Sequence, residues 1–421
     1  MHLLMFFRHA ACLLTGLLAL GSMTGCGQGQ DPVERFLETH WQDPLPPHGT
    51  PPAGFSALEA SLSPQACAQC HPGQFEGWKE SLHSKTMGPG ITWQLKLMSQ
   101  EQGNRCLRCH APLAEQKALV ALDHGWPNAP GRSIPGYVSR DLAHQGLACA
   151  SCHVRQHERF GPPPRIEPAK DGPHGGFRIS QAFADSRFCA SCHQFPQDGP
   201  RIAGKLQEDT YQQWLASPFA RPGAGQQTCQ SCHMPDRQHL WRGIHDPDMT
   251  RKALDVKLSV VGQGGGDYEA VAEVRNSGAG HHFPTYMVAK VELLFVRRDR
   301  DGGEHELGRQ VIGWQVDTPI TREMADTRIP AGEKRVFRQA FSAPAGQDWE
   351  VELVLRVAPG EHYERIYRDS LRQADRLPED AVGLLRLALA NVEGARYELM
   401  RVRAEAGPER PPADRRAAIA N

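Results

Sequence analysis

The chain has 421 residues, with 47 Lys and Arg against 48 Asp and Glu, a net charge of −1 and a pI near 7.0. Such a balance excludes a basic nucleic-acid-binding surface as the organising feature. The length asks for more than one domain, and 12 Cys together with 20 His is the unusual part of the composition.

Residues 1–25 read as an export signal: Arg8, an apolar stretch from Ala10 to Leu20, then small residues. The stretch is too short to stay in a bilayer as a spanning helix. "MTGC" resembles the bacterial lipoprotein signal, with Met23 where Leu is usual, and marks Cys26 for lipidation. Several acyl chains there would anchor the protein stably. The expected location is the periplasm or cell envelope, lipid-anchored to an inner or outer membrane. Residues 26–60 carry many prolines and read as a tether, with one short helix from an Asp31 N-cap through Pro32 to His40.

Residues 61–250 hold a repeat. Cys-x-x-Cys-His occurs as Cys67/Cys70/His71, Cys106/Cys109/His110, Cys149/Cys152/His153, Cys189/Cys192/His193 and Cys229/Cys232/His233, starting at intervals of 39 to 43 residues. Disulfides, thioredoxin-like redox pairs and zinc are the alternatives. Five redox pairs in one chain would be odd, and zinc knuckles use other spacings. The pattern is that of c-type haem attachment: two thiols bond covalently to the haem vinyl groups, and the next residue supplies an imidazole to the iron. Five haem c groups are therefore expected, on ten cysteines and five proximal histidines. The segment is rich in Gly, Pro and His, with short helices predicted at 94–103, 112–122 and 208–216. Its core is expected to be macrocycle rather than side chain, and it should not fold without haem.

The second axial ligands must come from other histidines. His83 lies in "FEGWKESLHSK", on the first motif's own segment. His174 follows a Pro-rich loop, His239 and His245 follow the last motif, and His281 sits in "GAGHHFPTY", the tip between two predicted strands. These five are the expected distal ligands, with His144 and His157 in reserve. His40, His48, His305 and His362 are left out of the set.

The run "CAQCHPGQFEGWKESLHS" is similar to the opening of bacterial multihaem cytochromes related to the tetrahaem cytochrome of nitrifiers, which accepts electrons from hydroxylamine oxidoreductase. In that group the histidine after the Trp-x-x-Ser pattern is commonly a distal ligand, which here implies His83. "TYQQWLASPFA" with "TCQSCHMPDRQHLWRGIHDPDM" resembles the last haem segment of larger multihaem proteins, which often carry a C-terminal β-domain with a GH-x-F-P-T loop, here Gly280 to Thr285. A fifth haem and the β-domain depart from the tetrahaem pattern, so the haem order does not carry over.

After Thr250 the pattern changes. Segments such as "ALDVKLSVV", "MVAKVELLFVRRD" and "DWEVELVLRVAP" alternate apolar and polar residues, with Gly- and Asp-rich turns between them. This predicts an antiparallel β-sandwich over 251–360, then C-terminal helices over 361–405 and a disordered tail over 406–421. The fold class expected is α+β multidomain: a helix-and-loop pentahaem domain, a β-sandwich and terminal helices.

Electron transfer through mostly bis-His haems is the leading functional expectation. Partners would be donor and acceptor cytochromes or a quinol-linked complex, together with the membrane through the N-terminal lipid; no nucleic acid is expected, and self-association stays open. The alternative is an oxidoreductase acting on nitrite, hydroxylamine or a small sulfur compound at one open-site haem. Dedicated multihaem nitrite reductases carry Lys in place of a motif His, whereas all five motifs here end in His.

Overall fold

The computed structural model describes residues 31–131, 133–165, 173–344 and 348–405. The export signal, Cys26 and the tail after 405 lie outside the described residues. The order found is the one expected for an α+β chain: a helix-and-loop part, then a β-rich part.

Helix α1 (Pro32–His40) starts where Asp31 accepts a hydrogen bond from the Val33 N–H. Residues 31–60, expected as a tether, instead belong to the domain. Leu45 and His48 are buried, Asp31 pairs with Arg187 at 2.5 Å, and the His48 imidazole meets Glu115 at 3.0 Å. The prolines there shape a chain that wraps the domain, so they did not signal solvent.

Helices Ala114–Asp123 and Thr210–Leu215 lie close to two of the predicted short helices, but the helix expected over 94–103 is broken at 96–99, where α2 (Pro89–Leu95) has ended and α3 (Gln100–His110) has yet to start from its Ser99 cap. Around them stands a side-chain core that the sequence reading did not expect. Leu62, Leu107, Leu113 and Leu142 are fully buried there, with Leu95 and Leu119 nearly so. Beyond this core the picture reverses. Among the described residues of 155–250, the buried apolar side chains are Ala182, Ile202, Leu206 and Ala220.

The β-rich part has two packed sheets. Strands β1 (Leu254–Gly264), β2 (Asp267–Asn276) and β5 (Lys334–Ser342) form one, in the order β5-β2-β1. Strands β3 (Lys290–Asp299), β4 (Glu304–Ile312), β6 (Trp349–Ala358) and β7 (Tyr397–Glu405) form the other, in the order β7-β6-β3-β4, all antiparallel. Alternation does the work the pattern promised: Ala270, Ala272 and Val274 face Val291, Leu293, Phe295, Val351, Leu353 and Leu355 in one core. Helices α4 (Glu361–Leu371) and α5 (Glu379–Gly394) follow β6 and pack back on α2 through Trp93, Tyr367 and Leu385. The expectation of helix through 405 is corrected, since 397–405 is strand β7. Past a register shift at Leu399, Met400 and Ala404 pack against the core while Arg401 and Arg403 point the other way, a period of two.

Those two arginines explain β7's place. Glu352 on β6 is buried, and it accepts from Arg298 Nε at 2.8 Å, Arg401 Nη1 at 2.9 Å and Arg403 Nε at 2.9 Å. Burial alone would raise its pKa, but the hydrogen bonds from Arg403 and Arg298 outweigh it and hold the carboxyl below its ordinary value. Glu352→Ala is expected to lower the β-domain's stability by about 3 kcal/mol, the low end for breaking a buried pair because the arginines still touch water, or roughly 6–12 °C in midpoint. Because the folded pKa is depressed, this contribution is complete above about pH 4.5 and fades as pH falls through the folded value. Thermal unfolding of both chains at pH 7 and pH 3 checks this: the gap between them should shrink in acid.

Candidate haem-binding sites

Each motif is built on a helical turn, where residues three and four apart share a face. Cys67 lies on Pro64–Ala68, capped by Ser63, and His71 leads into Pro72–Glu80. The second motif ends α3, whose Ser99 and Gln102 form a capping box. The third is the helix Cys149–His153, the fourth ends Arg187–His193, and the fifth is Cys229–His233, capped by Thr228. All ten motif cysteines are free thiols, as thioether formation requires.

Cys70 differs from the other attachment thiols in its exposure. It is exposed, whereas the other nine motif cysteines are half-buried. The cause is a break between two helices. Pro64–Ala68 has ended before Cys70, Pro72 begins the next helix, and residues 69–74 all stand at the surface. Cys67, one turn earlier, is half-buried on the helix itself. The first motif thus keeps one thiol inside and one at the domain surface, with His71 exposed beside it.

Thiols of different motifs stand near enough to shift one another's ionisation in three pairs: Cys67 with Cys149, Cys109 with Cys192, and Cys189 with Cys229. Cys152 acts electrostatically on both Cys189 and Cys192. The motifs therefore connect as first to third, third to fourth, and fourth to both second and fifth.

Backbone carbonyls orient the motif imidazoles. His110 Nδ1 donates to Thr86 at 2.8 Å, His153 Nδ1 to Phe160 at 2.8 Å and His233 Nδ1 to Arg242 at 2.6 Å. A carbonyl only accepts, so Nδ1 carries the proton and Nε2 keeps the lone pair that an iron would take. Burial pushes the His153 pKa down to about 4, which keeps the ring neutral and ready to ligate.

Three motif rings each face a second imidazole. His239 stands 6.1 Å from His153 between ring centres, His83 stands 6.3 Å from His193, and His281 stands 6.3 Å from His233 with the planes 9° apart. With metal–nitrogen bonds of about 2.0–2.1 Å and about 1.1 Å from nitrogen to ring centre, two imidazoles sharing one ion stand roughly 6.3 Å apart. His239 and His281 are locked as the motif rings are, with Nδ1 on the carbonyls of Arg237 (2.9 Å) and His282 (2.8 Å). Burial lowers His281 to about 4 and His83 to about 3. The donor set and its spacing thus fit covalently bound porphyrins.

The remaining expected ligands are placed less symmetrically. His174 lies near His71; burial, Arg159 and His71, in that order, hold its pKa down, and its Nδ1 is buried without a partner. His245 is exposed beside Lys85. Of the reserves, His144 is exposed and 3.5 Å from Asp123, while His157 is buried with Nε2 3.2 Å from the Gly49 carbonyl. Among the described residues, no second imidazole faces His110 as His239 faces His153.

Several contributors were not legible in the motifs. His40, buried at the end of α1, sets Nε2 2.8 Å from the Cys152 carbonyl and so braces the third motif. Phe183 stacks on His153 at 5.1 Å. Trp241 presents its ring to both His83 (4.5 Å) and His239 (5.1 Å), from a backbone with φ of 41°. The His83 turn is tied down from another side: Leu147 N–H donates to the His83 carbonyl at 2.9 Å. Gly146 lets the chains come this close, because a Cβ there would sit 2.4 Å from that carbonyl oxygen, at a φ of 61°.

No curated protein matches the sequence. Residues 66–130, which take in the first two motifs, match the family model "Cytochrome c554 and c-prime". Among solved structures, a penta-heme cytochrome c552 from Thermochromatium tepidum is similar with a TM-score of 0.55 at 17% identity, over 82% of this chain and 99% of that one. The ASH/PapD-like domain 7 of human CEP192, at a TM-score of 0.17 and 7% identity over 38% of this chain and 87% of that one, is too distant to bear on the fold. This chain has the fold of a multihaem c-type cytochrome, with thiol pairs placed to bind haem c covalently.

Proposed function

We propose that the protein is an extracytoplasmic electron-transfer cytochrome carrying five haem c groups. The observation that carries this reading is the set of imidazoles spaced 6.1 to 6.3 Å across from His153, His193 and His233. The axial pairs would be His153/His239, His193/His83 and His233/His281, with His71/His174 as the fourth and His245 as the ligand without a placed partner. When bound, the irons supply one-electron redox chemistry. The residues do the rest: thiols fix each ring covalently, carbonyls hold Nδ1 and so orient Nε2, and burial keeps the imidazoles neutral. Contact between motifs offers electrons a continuous route from the first to the third and fourth, branching to the second and fifth. Cys26 lipidation would hold the protein in the periplasm or cell envelope, where a donor cytochrome or quinol-linked complex and an acceptor cytochrome can reach it.

The test is intact mass together with electron paramagnetic resonance of the oxidised protein. A mass gain of five haems with at least three low-spin signals is expected; a gain of fewer would overturn the count. Trp241→Ala frees the rings of His83 and His239 together, so two low-spin signals should broaden or shift. Change in one signal alone would mean that Trp241 does not brace both.

The oxidoreductase alternative is favoured by one feature, the absence of an imidazole facing His110 among the described residues.

A further inference from the structure

The two imidazoles of the fifth pair come from different parts of the chain, and one short helix touches the supports of both. His281 rides on the loop between β2 and β3. That loop is held to its own part by Asn276 Nδ2, which donates to the His281 carbonyl at 2.8 Å, and by Arg328, which donates to the Thr285 carbonyl at 2.7 Å. The helix Thr210–Leu215 supplies the hold from the haem-binding part. Gln213 Oε1 accepts the His282 N–H at 3.1 Å and the Thr285 hydroxyl at 2.9 Å, and Gln213 Nε2 donates to the Thr285 carbonyl at 3.2 Å. Both ends of the amide are thus engaged by the loop that carries His281. The next residue, Trp214, faces the fifth motif. Its Nε1–H donates to the Gln227 carbonyl at 2.9 Å. Gln227 directly precedes Thr228, whose hydroxyl caps the helix Cys229–His233. Trp214 also limits how near the loop comes: a Cβ on Gly280, the residue before His281, would stand 3.1 Å from its Cδ1. The helix itself is seated on the fourth motif, since the Gln212 N–H donates to Gln194 Oε1, next to His193, at 3.1 Å.

We propose that Gln213 and Trp214 are positioning residues that set the span between His233 and His281, and so decide whether the fifth motif's iron keeps its second imidazole. This rests on the reading that these two histidines share one iron. The span tolerates little: rings 6.3 Å apart suit an iron between them, and ligand bonds hold to within about 0.2 Å. Each residue acts through the backbone that delivers a ligand, Gln213 on the side of His281 and Trp214 on the side of His233. Because they are neighbours on one helix, the two ligands are placed against a common support although 48 residues of sequence separate them.

The test uses the full, haem-loaded chain, with cyanide as a competitor for the iron. The low-spin signal lost in His281→Ala identifies the fifth haem, so failure of the pair and failure of the positioning residues are separate results. Gln213→Met keeps the length of the side chain and removes its hydrogen bonds. Each bond lost shifts the on–off equilibrium of His281 about fivefold. The cyanide concentration that converts the fifth haem should therefore fall at least tenfold below that of the parent. Trp214→Phe keeps a ring against Gly280 and loses the N–H, and should lower it about fivefold. Gln212→Met, on the exposed neighbour, should leave it unchanged. In a His281→Ala background Gln213→Met should add nothing, which a general loosening of the fold would not reproduce. Gln213→Met and Trp214→Phe chains that take cyanide as the parent does would overturn the proposal, as would an equal effect of Gln213→Met in the His281→Ala background. If His281→Ala leaves every low-spin signal in place, the shared iron is wrong and the proposal falls with it.

Discussion

A chain made without haem attachment should give, on limited trypsin digestion, a resistant fragment running from near Leu254 to near Glu405, while residues 155–250 are cut throughout. The reason is where apolar side chains are buried. The β-sandwich has a closed core of its own, from Ala270 and Val274 across to Phe295, Leu353 and Leu355. Residues 45–154 have the Leu62/Leu107/Leu113/Leu142 core and should loosen without dissolving. The segment 155–250 has Ala182, Ile202, Leu206 and Ala220 as its buried apolar side chains among the described residues, too few to offset the ordering of its backbone. A buried Trp covers up to about 250 Å². A porphyrin with roughly twice that area would contribute about 12 kcal/mol at 25 cal/mol per Å². One such group matches the whole net stability of an ordinary domain, about 5–15 kcal/mol. Loss of the haems of the fourth and fifth motifs should therefore remove most of what holds this segment, and the loaded chain should resist trypsin there. Equal resistance with and without haem would mean that side chains alone suffice.

What the sequence made legible was local. Cys-x-x-Cys-His is complete within five residues, so its chemistry reads without a fold. Strand alternation reads the same way, because burial of one face is written every second residue. Features that depend on distant partners did not read. Residues 31–60 looked like a tether because prolines have the same composition in a linker and in a chain that wraps a domain; the Asp31–Arg187 and His48–Glu115 pairs span more than sixty residues of sequence. The motif itself does not say how deep each thiol lies: Cys70 is exposed because its helix stops short of it, while Cys152 at the same motif position is held within the helix Cys149–His153. Tyr397–Glu405 followed a long helical pattern and was read as its continuation. Its strand character depends on Glu352, the buried carboxylate on β6 that its arginines meet. Trp241 carries no motif at all. It acts by standing beside His83 and His239, which other turns deliver.

Replacing His281 by Ala should add a high-spin signal to the spectrum of the loaded protein, and the same change at His282 should not. The two neighbours differ in where their rings stand. The His281 ring is parallel to that of His233 within 9°, at 6.3 Å, with Nδ1 already engaged by a carbonyl. His282 is set instead among Arg328, Asp326 and Asp209. The loop does not depend on the His281 side chain for its shape: Asn276 Nδ2 donates to the His281 carbonyl at 2.8 Å, and the His282 N–H donates to Gln213 at 3.1 Å. His281→Ala should therefore keep the fold and remove one ligand from the fifth motif's iron. The potential of that haem should rise by about 0.1 V, a fraction of the roughly 0.8 V that axial ligands span. His281→Met should restore a low-spin signal while keeping the raised potential, because a thioether favours the reduced iron. If His281→Ala leaves the spectrum as it was, or if His282→Ala changes it in the same way, the β-domain does not reach across to the fifth motif, and its packing against the helical part is all that it contributes.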